Sequence, residues 1–150
     1  MPNWVKNVVA LIPENAPIKI TSNKFWKKFI TDGQFDFNKL IPMPDEIRNA
    51  KDDSWYRWCI DNWGTKWNSN ETFISNGVLC FQTAWSTPAP IWERLNEEAL
   101  KYGYSIYAEY ADEDIGYNCG EICYINKTLR VRMCAEPDED FAVNVWNYGT

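Results

Sequence analysis

Alternation of apolar and polar residues is clearest along six segments of the chain, and it predicts β-strands there. A period of two places successive side chains on opposite faces of a sheet. In the last segment we expect Leu129, Val131 and Met133 to point inward and Arg130 and Arg132 outward. An Asn-Gly pair between two of the segments is typical of a tight hairpin turn. The predicted strands are 3–12, 71–75, 77–85, 104–110, 116–125 and 129–135.

Apolar residues at intervals of three and four predict helices over 23–31, over 55–63, and between Pro88 and Gly103. The segment 35–47 contains two prolines, which exclude a regular helix or a central strand, so we expect an extended edge segment followed by a turn. Residues 138–147 are predicted as a short helix or an extended tail.

The order of these elements predicts an α+β fold. Helices that occur between antiparallel strands pack on one face of the sheet. A ferredoxin-like antiparallel sheet fits this order, with an extra helix before the central hairpin and a C-terminal extension. The sequence has no internal repeat and no linker-like run, so we expect residues 1–150 to form a single domain.

Composition excludes several classes of function. The 150 residues include nine Trp and no His, which excludes Ser-His-Asp or Cys-His catalysis and His-ligated zinc or haem. The net charge of −6 disfavours direct binding of nucleic acid, because phosphates are bound by clustered Lys and Arg. The five cysteines lack the spacing of a disulfide framework or metal site, so we expect free thiols and neither metal nor cofactor. With no signal peptide or membrane span, we expect a cytoplasmic protein.

Four segments of the sequence are distinctive in combination. They are MPNW at 1–4 with Asn7 after it, KLIPMPDEI at 39–47, WYRWCIDNWGTKWN at 55–68 and FQTAWSTPAPIWERL at 81–95. Together they resemble the YubB-like family of small phage and plasmid proteins, described as having a ferredoxin-like domain. The resemblance implies an accessory protein of a mobile element, in which residues 1–125 form the family-like core and 126–150 a C-terminal strand and tail.

The WGTKWN and TAWSTP motifs also contain a candidate ligand site. Aromatic rings that bracket a lysine can stack on a base while the lysine binds a phosphate, and a helix N-terminus favours an anion. A small nucleotide is the ligand that such a site would take. In the structural alternative, the tryptophans fill the core and the hydroxyl groups cap the next helix. The candidate residues are Asn62, Trp63, Thr65, Lys66, Trp67, Trp85, Ser86 and Thr87.

Acidic residues are concentrated in the last third of the chain. Residues 1–101 contain twelve acidic and twelve basic residues, whereas residues 102–150 contain nine acidic and three basic ones. An acidic face can dock on the basic groove of a nucleic-acid-binding protein, or it can serve solubility alone. The candidate partner-binding residues are Glu109, Asp112, Glu113, Asp114, Glu136, Asp138, Glu139 and Asp140.

Three functional hypotheses follow. The first, based on the resemblance and the charge distribution, is a non-enzymatic anti-defence inhibitor, similar to an anti-CRISPR protein, that docks through its acidic face on a host nucleic-acid-handling protein. The second is a protein that sequesters a small nucleotide with the WGTKWN loop. The third is a metal-dependent hydrolase or nuclease that uses Glu109 and Asp112, although their spacing matches no EF-hand loop. The oligomeric state stays open, and no membrane partner is expected.

Overall fold

A six-stranded antiparallel sheet forms the centre of the molecule in the computed structural model, which describes residues 3–15, 17–125 and 127–150. Two further short strands, β2 and β3, pair with each other in a separate hairpin. The strands are β1 (Trp4–Pro13), β2 (Ile30–Thr31), β3 (Gln34–Phe35), β4 (Asn70–Ser75), β5 (Val78–Ala84), β6 (Tyr104–Asp112), β7 (Cys119–Ile125) and β8 (Thr128–Met133).

Helices cover both faces of this sheet, whereas the sequence predicted helices on one face. Helices α1, α3 and α4 bury their apolar side chains against one face, where the larger core lies. Helix α5 covers the other face and closes a smaller core around Val8, Cys80 and Val145. The helices are α1 (Ser22–Lys27), α2 (Asp45–Arg48), α3 (Ser54–Trp63), α4 (Ala89–Leu100) and α5 (Glu139–Asn147), with a 3₁₀ helix at Phe37–Lys39.

The strand order confirms the predicted ferredoxin-like architecture. Across the sheet the order is β4-β5-β1-β6-β7-β8, and each neighbouring pair is antiparallel. Its first four strands have the arrangement of a split βαβ fold, with β1 between β5 and β6. Helix α3 is the extra helix before the central hairpin. The C-terminal extension forms a helix, which settles the choice between a helix and a tail.

Two local predictions were wrong. The first helix ends at Lys27 instead of residue 31, because Asp32 and Gly33 both have positive φ and turn the chain into the β2–β3 hairpin. The segment 35–47, predicted as extended, contains the end of β3, the 3₁₀ helix and α2. The two prolines are compatible with the 3₁₀ helix and α2 because they lie outside or just before these helices, where no helical hydrogen bond needs their missing N–H.

The prediction for β8 was also wrong. Val131 is 52% exposed and Met133 is 64% exposed, although both were expected to face inward. Strand β8 is the outermost strand of the sheet, and α4 packs mainly against β6, so only Leu129 reaches the larger core. Alternation alone identifies the two faces of a strand but not whether anything covers them.

The cysteines agree with their prediction as free thiols. Cys59, Cys80, Cys119 and Cys134 are buried and Cys123 is partly buried, and none of these described residues forms a disulfide. Within the same described ranges, the chain has no helix with both the length and the apolar character needed to cross a membrane.

Candidate functional site

The turn between β5 and α4 is held by a buried network of hydrogen bonds that begins on the central strand. Asn7, which is fully buried, donates its amide to Thr83 Oγ1 over 3.0 Å, and Thr83 Oγ1 donates to the Ser86 carbonyl over 2.7 Å. Thr87 Oγ1 donates to Asn7 Oδ1 over 2.7 Å and accepts from the Trp92 indole over 2.9 Å. Because each of these polar side chains has a partner, the network fixes the shape of the turn.

The loop after α3 is attached to this turn through two hydroxyl groups. Thr65 Oγ1 donates to the last carbonyl of β5 over 2.6 Å, and Ser86 Oγ donates to the Gly64 carbonyl over 2.6 Å. Gly64 has φ 76°, and a Cβ there would lie 2.7 Å from the side chain of Pro90, so only glycine fits. The loop and the turn therefore form one unit, whose hydroxyl groups bind the protein's own backbone and side chains.

Trp63 and Asn62 make contacts within the protein, as the structural alternative predicts. Trp63 is 3% exposed, its indole N–H donates to the Ile41 carbonyl over 2.8 Å, and its ring packs edge-on against Trp58. Asn62 donates to the Trp58 carbonyl one turn earlier in its own helix. Trp63 is therefore not presented to a ligand at the surface, and the Asn62 amide is engaged within its own helix.

Lys66, Trp67 and Trp85 do come together at the surface. The Lys66 ammonium nitrogen lies 4.4 Å from the ring centre of Trp67 and 4.8 Å from that of Trp85, and the ring of Tyr56 is 5.9 Å away. The two indoles are 36% and 40% exposed. Cation–π attraction holds the ammonium group between the ring faces. We call Tyr56, Lys66, Trp67 and Trp85 the aromatic–lysine cluster.

Trp85 has a backbone conformation that aromatic residues rarely adopt. Its φ is 72°, in the left-handed region, which costs a residue with a Cβ about 1–2 kcal/mol. Its N–H donates to the Asn3 carbonyl over 2.9 Å, and its carbonyl accepts from Asn118 Nδ2 over 3.0 Å. These two bonds to neighbouring chain segments hold the strained turn. Strain of this kind is concentrated at functional sites, so it marks Trp85 as a candidate functional residue.

Asp112 is buried, which corrects its prediction as a surface residue. It is 6% exposed, and its carboxylate accepts from Asn3 Nδ2 over 3.1 Å, from Asp114 N over 2.9 Å and from Asn118 Nδ2 over 3.1 Å. A buried carboxylate needs such donors. Because Asn3 and Asn118 also hold Trp85, Asp112 ties the acidic loop after β6 to the aromatic–lysine cluster.

Most of the remaining acidic candidates form one group beside this loop. The Asp138 N–H donates to the Gly116 carbonyl over 2.9 Å, and Glu136 Oε1 accepts from Asn118 N over 3.2 Å. These contacts fold residues 136–140 against the loop. Asp138 itself caps α5 by accepting from the N–H of the third residue of that helix. We call the following residues the acidic rim: Glu113, Asp114, Glu136, Asp138, Glu139 and Asp140.

Glu109 lies within β6 and not in the segments that carry the acidic rim. It precedes Asp112 by three residues on β6, so the two side chains point to opposite faces, with Cα atoms about 10 Å apart. The Glu109 carboxylate accepts from the Tyr107 hydroxyl over 3.0 Å. The carboxylate pair of the hydrolase hypothesis therefore does not form. Over residues 3–15, 17–125 and 127–150, no three Cys, Asp or Glu side chains are grouped to hold a metal ion.

Sequence reasoning missed the residues that position the site. Asn3 and Asn118 hold Trp85 and Asp112, and Tyr56 completes the cluster from a helix ten residues before Lys66. Asn118 has φ 47°, a conformation that asparagine tolerates in turns, so the sequence carried a weak local signal for that turn only. Nothing local could link Tyr56 to the other rings.

Together these observations define a class of protein: a small α+β domain with a ferredoxin-like sheet that has exposed indoles and carboxylates at one end. Residues 62–148 match the family model described as the ferredoxin-like domain in Api92-like protein, and the chain belongs to this family. The match includes Lys66, Trp67, Trp85 and the acidic rim, but not β1, the strand at the centre of the fold. A search of curated proteins and a search of solved structures found no match. The phage or plasmid origin implied by the YubB-like resemblance stays a prediction.

Proposed function

We propose that this protein acts by binding, without catalysis, and that its partner is a basic protein that handles nucleic acid. The binding site in this proposal is the aromatic–lysine cluster together with the acidic rim. The observation that carries the proposal is Trp85, an indole that is 40% exposed on a strained backbone and fixed to the loop that bears the carboxylates. If a phage or plasmid encodes the chain, we propose that the partner is a host defence protein and that binding inhibits it.

Side chains of this kind serve complementary purposes in protein interfaces. Tryptophan and tyrosine supply most of the binding energy at interface hot spots, whereas carboxylates steer a basic partner and set its orientation. Lys66 lies on the ring faces of Trp67 and Trp85, which restricts their motion before binding. Rings that are already ordered lose less entropy when a partner covers them.

The aromatic part of the proposal is tested by capture from host lysate with matched variants. Trp85→Ala should weaken binding of the captured protein by about 30-fold or more, the effect of a hot-spot residue. Met133→Ala is the control, because Met133 is a similarly exposed apolar side chain, 64% exposed, on the edge strand β8. Equal weakening by both variants, or by neither, contradicts the assignment of Trp85.

The electrostatic part is tested by neutralising exposed rim carboxylates. Asp112 and Asp138 are left unchanged because both have structural hydrogen bonds. Association should slow and lose its dependence on salt in the triple variant D114N/E139Q/D140N, but not in a control triple at exposed acidic sites elsewhere, D45N/E46Q/E93Q. The captured protein should also be displaced by double-stranded DNA. A captured protein that is itself acidic, or binding indifferent to the rim variant, refutes the proposal.

Nucleotide sequestration is the second candidate, favoured by the position of Lys66 between two exposed indoles. A nucleotide is no longer expected to contact Trp63, Ser86 or Thr87, because these side chains hydrogen-bond to other groups of the protein. Quenching of tryptophan fluorescence by a panel of nucleotides tests it. Quenching should disappear in Lys66→Met and persist in Lys28→Met, a matched lysine 5.4 Å from the ring centre of Tyr102. No quenching by any nucleotide excludes this function.

A further inference from the structure

A cavity of about 240 Å³ lies at the end of the sheet opposite the aromatic–lysine cluster. Its walls come from the second half of α4, the start of β6, the end of β7 and the residues that follow β1. The volume is large enough for several water molecules. It is below the range of about 300–1,000 Å³ typical of sites for drug-sized ligands, so its occupant must be small.

Three of the polar side chains that line this cavity are not exposed. Asn96 is 3% exposed, and its Oδ1 accepts from the Ile106 N–H over 2.9 Å, which leaves its NH₂ group for an occupant. Ser105 is 5% exposed. The hydroxyl oxygen of Tyr124 is buried and has no hydrogen-bond partner among the described residues. That oxygen has essentially no surface exposed to the empty cavity. A buried hydroxyl without a partner is costly in a folded protein, so an occupant that accepts its hydrogen bond after a small shift of the Tyr124 side chain stabilises the site.

The protonation state of Tyr124 defines what the occupant must offer. Burial raises the pKa of Tyr124, and the carboxylates of Glu93 and Glu97 raise it further, so the phenol stays protonated and donates. The Asn96 amide donates as well, and the Ser105 hydroxyl can donate or accept. These groups match a molecule that has carbonyl oxygens or ring nitrogens beside an N–H group.

The charges around the cavity disfavour an anion. Glu93 and Glu97 lie close enough to affect Tyr124, and Glu14 lines the opening, where Lys127 is the one basic residue among the described residues of the lining. A phosphate-bearing ligand would meet net negative charge there. Leu100 and the Tyr124 ring provide apolar wall for a flat ring. We propose that this cavity is a binding site for a small neutral heterocycle with the hydrogen-bonding pattern of a free nucleobase.

Titration calorimetry and ligand-observed NMR with uracil, cytosine, adenine and hypoxanthine test this proposal on the full chain. At least one base should bind with a Kd below 1 mM. Tyr124→Phe removes only the hydroxyl and should weaken that binding about 10-fold, the value of one buried hydrogen bond. Tyr117→Phe is the matched control, because Tyr117 is 44% exposed near the acidic rim, and it should bind the base like the parent.

Loss of folding is not expected to explain weaker binding by the variants. Because the Tyr124 hydroxyl has no protein partner, Tyr124→Phe should melt no lower than the parent without ligand, and Ser105→Ala provides a second variant of the same lining. Absence of binding by all four bases at 5 mM overturns the proposal. Binding that is unchanged in both variants also overturns it, since the base then occupies another place. Neither result bears on the acidic rim or its protein partner.

Discussion

Replacing Thr87 by valine tests whether the buried network supports folding. The substitution keeps the shape of the side chain but removes the hydroxyl, which donates to Asn7 Oδ1 and accepts from the Trp92 indole. Both partners, Asn7 and Trp92, are 0% exposed, so neither can hydrogen-bond to water instead in the folded state. A buried polar group that loses its partner costs about 1–3 kcal/mol. With two such groups, we expect the free energy of unfolding to fall by about 2–5 kcal/mol.

Urea denaturation at pH 7 measures this loss as a lower midpoint at unchanged slope. A loss of this size is a large part of the about 5–15 kcal/mol that stabilises an ordinary domain. The control is Thr128→Val, an exposed β-branched position at the start of β8, where the change should stay within about 0.5 kcal/mol.

A double-mutant cycle with Trp92→Phe identifies the cause. Phenylalanine has no side-chain N–H, so in the Trp92→Phe background Thr87→Val leaves one polar group without a partner instead of two. The destabilisation caused by Thr87→Val should therefore fall by about 1 kcal/mol or more. If Thr87→Val costs less than about 0.5 kcal/mol, or if the two substitutions are additive, the network does not stabilise the turn and the reasoning fails.

Three further predictions concern the rest of the fold. Gly64→Ala should destabilise more than Gly33→Ala, because both have positive φ but only Gly64 lacks room for a Cβ; equal melting temperatures would contradict this. Lys6→Met should cost about 2 kcal/mol or more in urea denaturation, since Lys6 Nζ donates to two carbonyls at the end of α5; hydrogen exchange in α5 that stays unchanged would contradict it. Burial raises the pKa of Cys59 and of Cys80 to about 11, so stability should fall as pH rises from about 9 to about 11, and less so in a variant with both cysteines replaced by alanine.

The direction of the pH effect follows from which state ionises first. In the unfolded chain a thiol loses its proton near pH 9, whereas in the folded protein Cys59 and Cys80 keep theirs until about pH 11. Their contribution to stability is therefore complete below pH 9 and is lost as the pH rises through the folded pKa. A free energy of unfolding that stays flat over this interval would show that the two thiols titrate freely in the folded protein.

Local signals in the sequence predicted those elements that depend on neighbours in the chain. The Asn76-Gly77 turn produced the β4–β5 hairpin, and Gly64 ended α3 with a left-handed residue. The apolar stripe of α4 reappears as a buried face that includes Trp92. In each case a period or a turn residue acts over a few positions, so no knowledge of the rest of the molecule is needed.

The site was predicted only in part, because its assembly depends on contacts between distant segments. Lys66, Trp67 and Trp85 meet at the surface, but Asp112 turns inward, where Asn3, more than one hundred residues earlier, donates to it. From the sequence alone, a charged residue is predicted to be exposed, whether or not hydrogen-bond donors surround it in the folded protein. The opposite orientation of Glu109 and Asp112 likewise follows from the alternation of side chains along β6, which could be applied only once both residues were known to lie in that strand.

The sequence by itself determined the fold class, the order of the six strands of the main sheet and of the longer helices, the free thiols and the concentration of negative charge in residues 102–150. These follow from periodicity, turn chemistry and composition, which are properties of short segments. The tertiary structure decided which tryptophans are exposed, which hydroxyls are engaged and which carboxylates share a surface. The physical reason is that β1 passes between β5 and β6 and brings Asn3 and Asn7 beneath the turn that contains Trp85. Only folding brings these distant segments together.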